Sequence, residues 1–512
     1  MTHVHVTRSR PWHPDSARFA QQGCVTLRVR EGDDPPEIAQ RLDVLVGAQE
    51  AATRLDGGGR IDRALSRYAG TPRVTRLFSA ARHVRTEGSR HRGYDDVERE
   101  IGLSRTFRVD FDREASVQAV SSALRELDAV EMASPCYLSE TPFGLASYGN
   151  PGAPRDWAQQ RIGASAALSM EPGDSALIVA VIDSGVALDH PELRGHLRPG
   201  VDLVDLDAEA IVPRGLRLFG DLTGRDRRPM DDVGHGTACA SLIGGAGVEM
   251  HRGIGGASPV LGIRVLAAAQ SIGAEEMTAI GSAPDIDLGV KTAIDLGARV
   301  LNLSFGTPES ALRDEDPIPH TEIIRYALAR DCVLVAASGN LGGTVRYFPA
   351  ALPGVIAVGA IGRDGAPTAF SSRGDHVCLS APGESVWAAT KVGYRAHDGT
   401  SFAAPQVAGA CALLLARGAR FGTPLSSFDL RGLLERSAQP FARGVDAAGC
   451  GAGVLDVPAA LRAADELLRG DPGRAASDDD EWTDAAADRS TRMAAIRASR
   501  AAAQDDRAQR AR

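Results

Sequence analysis

The sequence lacks the long apolar runs and the charge imbalance that would place it in a specialised class of protein. No stretch approaches the ~18 unbroken apolar residues of a membrane-spanning helix. The net charge of −9 is spread over 512 residues, which gives no field strong enough to indicate a nucleic-acid partner. The apolar fraction of 43% and the charged fraction of 24% are ordinary for a globular protein. We therefore expect neither a membrane nor nucleic acid among its partners.

Cysteine is scarce, and its distribution argues against a disulfide framework. The seven cysteines are an odd number, they are widely separated, and several stand inside apolar runs. This pattern is typical of reduced, buried thiols in a cytoplasmic protein. Residues 1–11 also lack the apolar core of a secretory signal, so the chain as given is expected to be cytoplasmic, and only a misassigned start site leaves secretion open. The cysteines are Cys24, Cys136, Cys239, Cys332, Cys378, Cys411 and Cys450.

The length and the apolar pattern predict two folded units with tails. A chain of 512 residues is long for one domain. From about Ala176 onward, short apolar runs alternate with helical patterns near 239–245, 286–298 and 320–330, which indicates βαβ units and a parallel sheet. The candidate buried strands are 177–182, 260–266, 300–303, 333–337, 355–360 and 377–381.

Three short motifs, far apart in the chain, each carry one member of a nucleophilic triad. They are Val-Ile-Asp-Ser-Gly around Asp183, Gly-His-Gly-Thr around His235, and Gly-Thr-Ser-Phe-Ala-Ala-Pro around Ser401. A serine hydroxyl is a weak nucleophile until a base takes its proton, and the base needs a third group to orient it. Taken singly, Asp183 could cap a turn, His235 could be structural and Ser401 could be a helix N-cap. Their joint presence favours catalysis.

The order Asp, His, Ser resembles that of the subtilisin-like serine peptidase family, and the likeness covers roughly residues 155–460. The resemblance implies an α/β fold, in three layers with a mostly parallel central sheet, preceded by a small α+β prodomain. It also implies a serine endopeptidase that acts through an acyl-enzyme on Ser401. His235 would shuttle the proton, and Asp183 would orient His235.

The resemblance assigns further residues to the site. Asn340, after the apolar run Val333–Ala337, matches the oxyanion donor, with a plain turn residue as the alternative. The segment Ser304, Phe305 and Gly306 resembles the family's substrate-binding edge, along which an extended peptide would add as a strand. Tyr347 stands where a small residue is common, which predicts a narrow pocket that favours small P1 residues.

Two features depart from the family pattern. The family usually has a second histidine directly after the Gly-His-Gly-Thr motif, but this chain has Ala238 there. Cys239 follows, at a position where one subgroup of the family has a free thiol near the catalytic histidine. The stretch 266–287 does not follow the common pattern of the family either, so the sequence does not assign residues to the outer substrate subsites. No cofactor is expected for the chemistry. Many relatives bind structural calcium, but no acidic loop is specific enough to name ligands.

The regions outside the catalytic segment receive separate predictions. Residues 20–145 are predicted to form the prodomain-like α+β unit. It would help the catalytic domain at 146–465 to fold and would then occupy its cleft as an inhibitor until it is cut off. The alternative is a permanent regulatory or partner-binding domain. Processing is expected between about 140 and 150. Residues 1–19 form an N-terminal extension, and the Ala-rich segment 466–512 is predicted to be a disordered tail.

The function that follows is a serine endopeptidase made as a self-processed zymogen, with a protein or peptide as substrate and its own N-terminal unit as an intramolecular partner. Two alternatives stay open. One is a peptide-maturing transpeptidase on the same fold, in which an amine resolves the acyl-enzyme. The other, from a different class, is an inactive scaffold that binds peptides.

Overall fold

The computed structural model describes residues 20–32, 38–80, 93–141, 149–206, 216–224, 228–271 and 277–469. The N-terminal extension, most of the predicted processing segment and the tail beyond residue 469 lie outside these ranges. The chain divides into two units, Met1–Arg462 and Ala463–Arg512. The second unit is described only over 463–469, which form the end of the last helix.

The N-terminal part of the first unit is a small sheet covered by helices. Its strands alternate apolar residues that face the helices with polar residues on the other side, and most residues of both kinds are buried. The apolar residues of strands and helices share one core, with Leu27, Leu65 and Phe107 at its centre. The elements are β1 (Ala20–Val29), α1 (Arg41–Leu45), α2 (Arg60–Tyr68), β2 (Arg73–Arg76), α3 (Asp96–Ile101), a 3-10 turn (Leu103–Arg105), β3 (Thr106–Asp110), α4 (Val117–Arg125) and β4 (Val130–Glu140).

The larger part is built on a parallel sheet in which six of the seven strands are buried on both faces. All six strands predicted from apolar runs belong to this sheet, which confirms the α/β fold class. The sequence did not predict one edge strand, Leu197–Asp202 (β6). In spatial order the sheet is β16 (Val377–Pro382), β15 (Ile356–Ile361), β13 (Val333–Ala337), β11 (Ala298–Leu303), β5 (Ile178–Asp183), β8 (Val260–Arg264) and β6 (Leu197–Asp202).

Helices cover the sheet and complete the layers. The helix Thr400–Arg420 (α10) is long and apolar enough to cross a membrane, but 89% of its most apolar window is buried within the described structure. Packing against the sheet therefore accounts for its composition. The helices are α5 (Trp157–Arg161), α6 (Ala164–Met170), α7 (His235–Gly244), α8 (Ala283–Asp295), α9 (Thr321–Ala329), α10 (Thr400–Arg420), α11 (Ser427–Ser437) and α12 (Val457–Arg469).

The N-terminal sheet continues into the larger part through strand β4. Its spatial order is β2-β3-β1-β4-β10-β9-β7, where β7 is Leu216–Phe219, β9 is Ala267–Ser271 and β10 is Met277–Ser282. β4 pairs antiparallel with β10, so that Glu140 lies opposite Ile280. Two small two-stranded sheets complete the fold: β12 (Thr307–Pro308) with β14 (Tyr347–Phe348), and β17 (Val386–Ala389) with β18 (Tyr394–His397).

Buried ion pairs link the N-terminal part to the rest of the unit. Arg108 on β3 pairs with Asp285 on α8 at 2.7 Å, and both side chains are almost fully buried. Lys291 on α8 pairs at 2.7 Å with Glu98 on α3, and neither side chain is exposed. Ions taken out of water are costly unless they are paired, so these contacts are specific to the docked arrangement.

Candidate active site

The predicted triad and oxyanion residues lie at one edge of the central sheet. Asp183 is the last residue of β5, Ser304 directly follows β11, and Asn340 lies three residues beyond β13. His235 and Ser401 stand at the first turns of α7 and α10. Because the carboxyl ends of parallel strands meet at one edge, this is where an open α/β sheet holds its ligands.

Asp183 and His235 form a direct hydrogen-bonded pair. The Nδ1 atom of His235 lies 2.8 Å from Oδ1 and 3.0 Å from Oδ2 of Asp183. Asp183 is fully buried, and its Oδ1 also accepts a hydrogen bond from the backbone N–H of Ser184 at 2.7 Å. With Nδ1–H donating to the carboxylate, the imidazole keeps Nε2 as the atom that can accept a proton.

Gly236 allows the close approach between α7 and the end of β5. A Cβ atom added there would lie 2.2 Å from the backbone oxygen of Gly185, so a side chain is excluded. The backbone N–H of Gly236 instead donates to Ser184 Oγ at 3.0 Å. The close packing therefore requires a glycine after His235, and the same contact fixes the position of the imidazole.

Asp231 is a buried residue of the site that the sequence reasoning missed. Its carboxylate accepts hydrogen bonds from the side chains of Ser184 and Thr237 and from three backbone N–H groups between Val233 and Thr237. Burial raises the pKa of this carboxyl, and the donated hydrogen bonds oppose that effect. Asp231 thus holds the loop that carries His235. An acidic residue four positions before the motif histidine was the available signal.

Ser401 lies at the N-terminus of a long helix, where free backbone N–H groups and the helix dipole favour a developing negative charge. Its side chain is 1% exposed. The hydroxyl donates a hydrogen bond to the backbone oxygen of Ser304 at 3.2 Å, and no hydrogen bond joins it to His235. His235 Nε2 is buried and has no hydrogen-bond partner among the described residues. The serine must therefore rotate before it can give its proton to the histidine.

The amide of Asn340 has its orientation fixed by Thr400. Its Oδ1 accepts from the backbone N–H of Thr400 at 2.9 Å and from the Thr400 hydroxyl at 2.8 Å. Only the oxygen of a carboxamide can accept from an N–H, so the Nδ2 amino group is the donor end. Gly339, which precedes it, has φ of 110°, a left-handed conformation that favours glycine.

The predicted substrate edge is occupied by the chain's own strand β4. Gly306 and Glu140 exchange both backbone hydrogen bonds, at 3.0 and 3.1 Å. On its other side, Thr141 donates its backbone N–H to the oxygen of Ala279 at 2.9 Å. The side chain of Phe305 is buried in the core, so this segment offers its backbone rather than its ring. The end of β4 at Glu140 and the following Thr141 thus lie between two backbone edges.

The ring of Tyr347 fills the space beside this edge. It is 5% exposed. A Cβ atom added to Gly339 would lie 2.3 Å from the ring, and one added to Gly306 would lie 3.0 Å from it. The ring therefore packs directly between the segment before Asn340 and the predicted substrate edge.

Cys239 lies close beneath the Asp–His pair. One ligand atom from each of Asp183, His235 and Cys239 lies within 4.8 Å of the others, a spacing that could hold a metal ion. Asp183 already uses its oxygens for His235. Burial and the nearby Asp183 raise the pKa of the Cys239 thiol well above its ordinary value, and metals bind the thiolate. The thiol donates instead to the Ser401 backbone oxygen at 3.4 Å.

A second buried imidazole, His397, lies two residues before Gly399 in the serine motif. Its ring centroid is 4.6 Å from that of Phe402, whose ring in turn lies 5.4 Å from His235. Both ring nitrogens of His397 are buried without a hydrogen-bond partner among the described residues. Burial, with help from the charges of Arg395 and His235, holds the pKa of His397 well below its ordinary value.

Comparisons with known proteins match the segment that contains these residues. A family model described as the subtilase family of peptidases matches residues 174–455. The thermophilic serine proteinase of Bacillus sp. (strain AK1) is 32% identical over 331 residues, which cover 63% of this chain and 71% of that protein. Thermitase of Thermoactinomyces vulgaris is 31% identical over 290 residues, covering 56% and 88%. A solved structure of proteases from Pseudoalteromonas arctica PAMC 21717 has a TM-score of 0.50 at 23% identity and covers 62% and 100%.

Proposed function

The chain belongs to the subtilase family of serine peptidases, and we propose that it hydrolyses internal peptide bonds through an acyl-enzyme on Ser401. The observation that carries the proposal is the hydrogen bond of 2.8 Å between Asp183 and His235. It leaves Nε2 of His235 as a base beside the helix N-terminus that holds Ser401.

In the proposed mechanism, Ser401 Oγ leaves its contact with the Ser304 oxygen and turns toward His235 Nε2. It loses its proton to that nitrogen as it attacks the substrate carbonyl carbon. The developing oxyanion would be stabilised by Nδ2 of Asn340 and the backbone N–H of Ser401. The histidine then returns the proton to the leaving amine, and water repeats the cycle to release the acid product.

We also propose that the N-terminal part acts as an intramolecular inhibitor that the enzyme removes. Strand β4 supports this role because residues 139–141 use the same backbone edge, at Gly306 and Ala279, that a bound substrate strand would use. The ion pairs of Arg108 and Glu98 with the larger part would hold the inhibitor in place. Self-processing would then fall soon after Thr141, inside the predicted range 140–150. Residues 142–148 of that range lie outside the described residues.

The position of Tyr347 supports a preference for small residues at P1. The ring lies between Gly306 and Gly339, next to the backbone that would receive the residue before the cleaved bond. An occupied pocket disfavours a bulky side chain because one of the two must move.

Covalent labelling tests the reaction class. A fluorophosphonate should label the wild-type protein, after any self-processing is complete, and should fail to label Ser401→Ala. The exposed serine in Ser175→Ala provides a matched control that should label fully. Absence of labelling in the wild type, with no cleavage of a denatured protein substrate, would instead favour the inactive peptide-binding scaffold. Product analysis in the presence of an added amine separates hydrolysis from transpeptidation.

A further inference from the structure

Two cysteines of the N-terminal part are in direct contact. Cys24 on β1 and Cys136 on β4 have their Sγ atoms 2.6 Å apart, and both residues are fully buried. β1 and β4 are neighbours in the same sheet, and their register shifts between Ala20 and Val25, next to Cys24. The regular pairing of Val25 with Pro135 and Thr26 with Ser134, extended by one residue, places Cys24 directly opposite Cys136 across the two strands.

The other five cysteines, all of them in described residues, have different surroundings. Four of them have a backbone carbonyl oxygen as the contact of the sulfur, and Cys411 lies in the apolar core of α10. The contact between Cys24 and Cys136 therefore stands apart from the packing of the remaining thiols: Cys239, Cys332, Cys378, Cys411 and Cys450.

We propose that Cys24 and Cys136 form a disulfide that ties β1 to β4. The geometry supports this because the sulfurs are already close to the ~2.05 Å of an S–S bond. Formation needs an oxidant, and a small-molecule disulfide of the glutathione type supplies it. One cysteine thiolate attacks that disulfide and releases one thiol, and the second thiolate then displaces the other. Two protein S–H bonds are lost, one S–S bond forms, and the oxidant is reduced to two thiols.

Burial decides when this exchange can occur. Thiol exchange requires a thiolate and access to the oxidant. Both cysteines are fully buried in the folded unit, and burial raises the pKa of Cys24 well above its ordinary value. The bond should therefore form while the N-terminal part is still open during folding, and it should then resist reduction. In a reducing compartment the same pair would remain as two thiols.

The position of the bond gives it a consequence for the cleft, which rests on the proposed inhibitory role of the N-terminal part. Cys136 lies on β4, four residues before Glu140, which pairs with Gly306. A crosslink between β1 and β4 closes a loop of more than one hundred residues and restricts the unfolded N-terminal part. The oxidised form should therefore release the inhibitory strand more slowly than the reduced form.

Disulfide mapping tests the proposal without depending on peptidase activity. Full-length Ser401→Ala is unfolded, refolded with oxidised and reduced glutathione, and digested without reduction for mass spectrometry. We expect one linked peptide that joins Cys24 to Cys136, and five titratable thiols after unfolding in denaturant. Seven free thiols, or a link between any other two cysteines, would overturn the proposal. The Cys450→Ser variant should keep the link, and Cys24→Ser should lose it.

A kinetic comparison tests the consequence. Wild type refolded in the presence of dithiothreitol should yield active enzyme about tenfold or more faster than wild type refolded with the oxidant, because the bond is buried and must be kept open during folding. The double variant Cys24→Ser/Cys136→Ser should show the fast rate under both conditions. Equal rates for oxidised and reduced wild type, with the link confirmed by mapping, would overturn the regulatory role. Failure of all forms to become active would bear on the proposed function, while the mapping result would stand.

Discussion

The side-chain amide of Asn340 is oriented for its proposed role as oxyanion donor by its contacts with Thr400. Thr400 occupies its oxygen and directs the amino group outward as a donor. Asn340→Ala should lower kcat by about 10²–10³, a magnitude taken from the subtilisin asparagine, with little change in KM. Peptide hydrolysis by the processed enzyme measures this, with Asn150→Ala as the control that should keep full activity. An equal loss in both variants would contradict the assigned role.

Tyr347 provides the test of substrate size at the same scale. Tyr347→Gly removes the ring that packs between Gly306 and Gly339, and the space it leaves should accept a larger side chain. We expect kcat/KM for a phenylalanine at P1 to rise relative to alanine by at least about tenfold, measured on a matched pair of peptides. Tyr347→Phe keeps the ring and should keep the original preference. An unchanged preference in Tyr347→Gly would show that the ring does not limit the pocket.

His397 makes stability depend on pH. Its pKa lies well below 6.5 in the folded state, so below about pH 6.5 the unfolded chain binds a proton that the folded chain does not. The free energy of unfolding should therefore fall as the pH drops through this range, by up to about 1.4 kcal/mol per pH unit from this group. Urea unfolding between pH 5 and 7 measures the slope. His397→Phe should flatten it, whereas His251→Gln should not; an equal slope in His397→Phe would refute the assignment.

At the scale of elements, the buried pair Glu98 and Lys291 joins α3 to α8. Glu98→Gln removes one partner and leaves the buried ammonium of Lys291 with Asp295, at 2.7 Å, as its remaining ion-pair partner among the residues that the structure describes. We expect a loss of about 2–4 kcal/mol in unfolding free energy. Because the pair is costly to desolvate, Glu98→Gln/Lys291→Met should recover most of this loss. Urea unfolding of both variants in the Ser401→Ala background avoids self-digestion, and equal losses would contradict the explanation.

The elements that could be predicted from sequence are those with a continuous local pattern. Strands such as β13 and β15 are unbroken apolar runs, because both faces of a parallel sheet are buried. β6 has the sequence Leu-Arg-Pro-Gly-Val-Asp. Its proline and glycine are unfavourable in a strand interior, so the sequence did not indicate an edge strand there. β9 and β10 lie in the stretch that gave no family pattern, and pairing with β4 defines their role.

The residues of the candidate site also divide into those that local motifs could predict and those that they could not. Asp183, His235, Ser401 and Asn340 belong to short motifs whose chemistry is visible locally, and the fold brings them to one edge. The support from Asp231 and the contact between Cys24 and Cys136 depend on partners that are distant in the chain or recruited by loop geometry. Local pattern carries no information about the pairing of Cys24 with Cys136, whereas Asp231 left only its position four residues before His235 as a signal.

At the scale of the whole molecule, the N-terminal part both supplies the strand in the cleft and docks through buried ions. Under the proposed inhibitory role, the substrate edge would stay covered until that strand leaves, so the N-terminal part would control the activity of the peptidase. The localisation of the protein and the need for calcium remain predictions from sequence.

The most direct test of this account is the intact mass of wild-type and Ser401→Ala protein followed over time, with terminal sequencing of every fragment. We predict a cut between residues 140 and 150 in the wild type and none in Ser401→Ala, because the same serine would be the nucleophile and the N-terminal part its first substrate. The same cut in both proteins, or an uncut wild type, would contradict self-processing through Ser401.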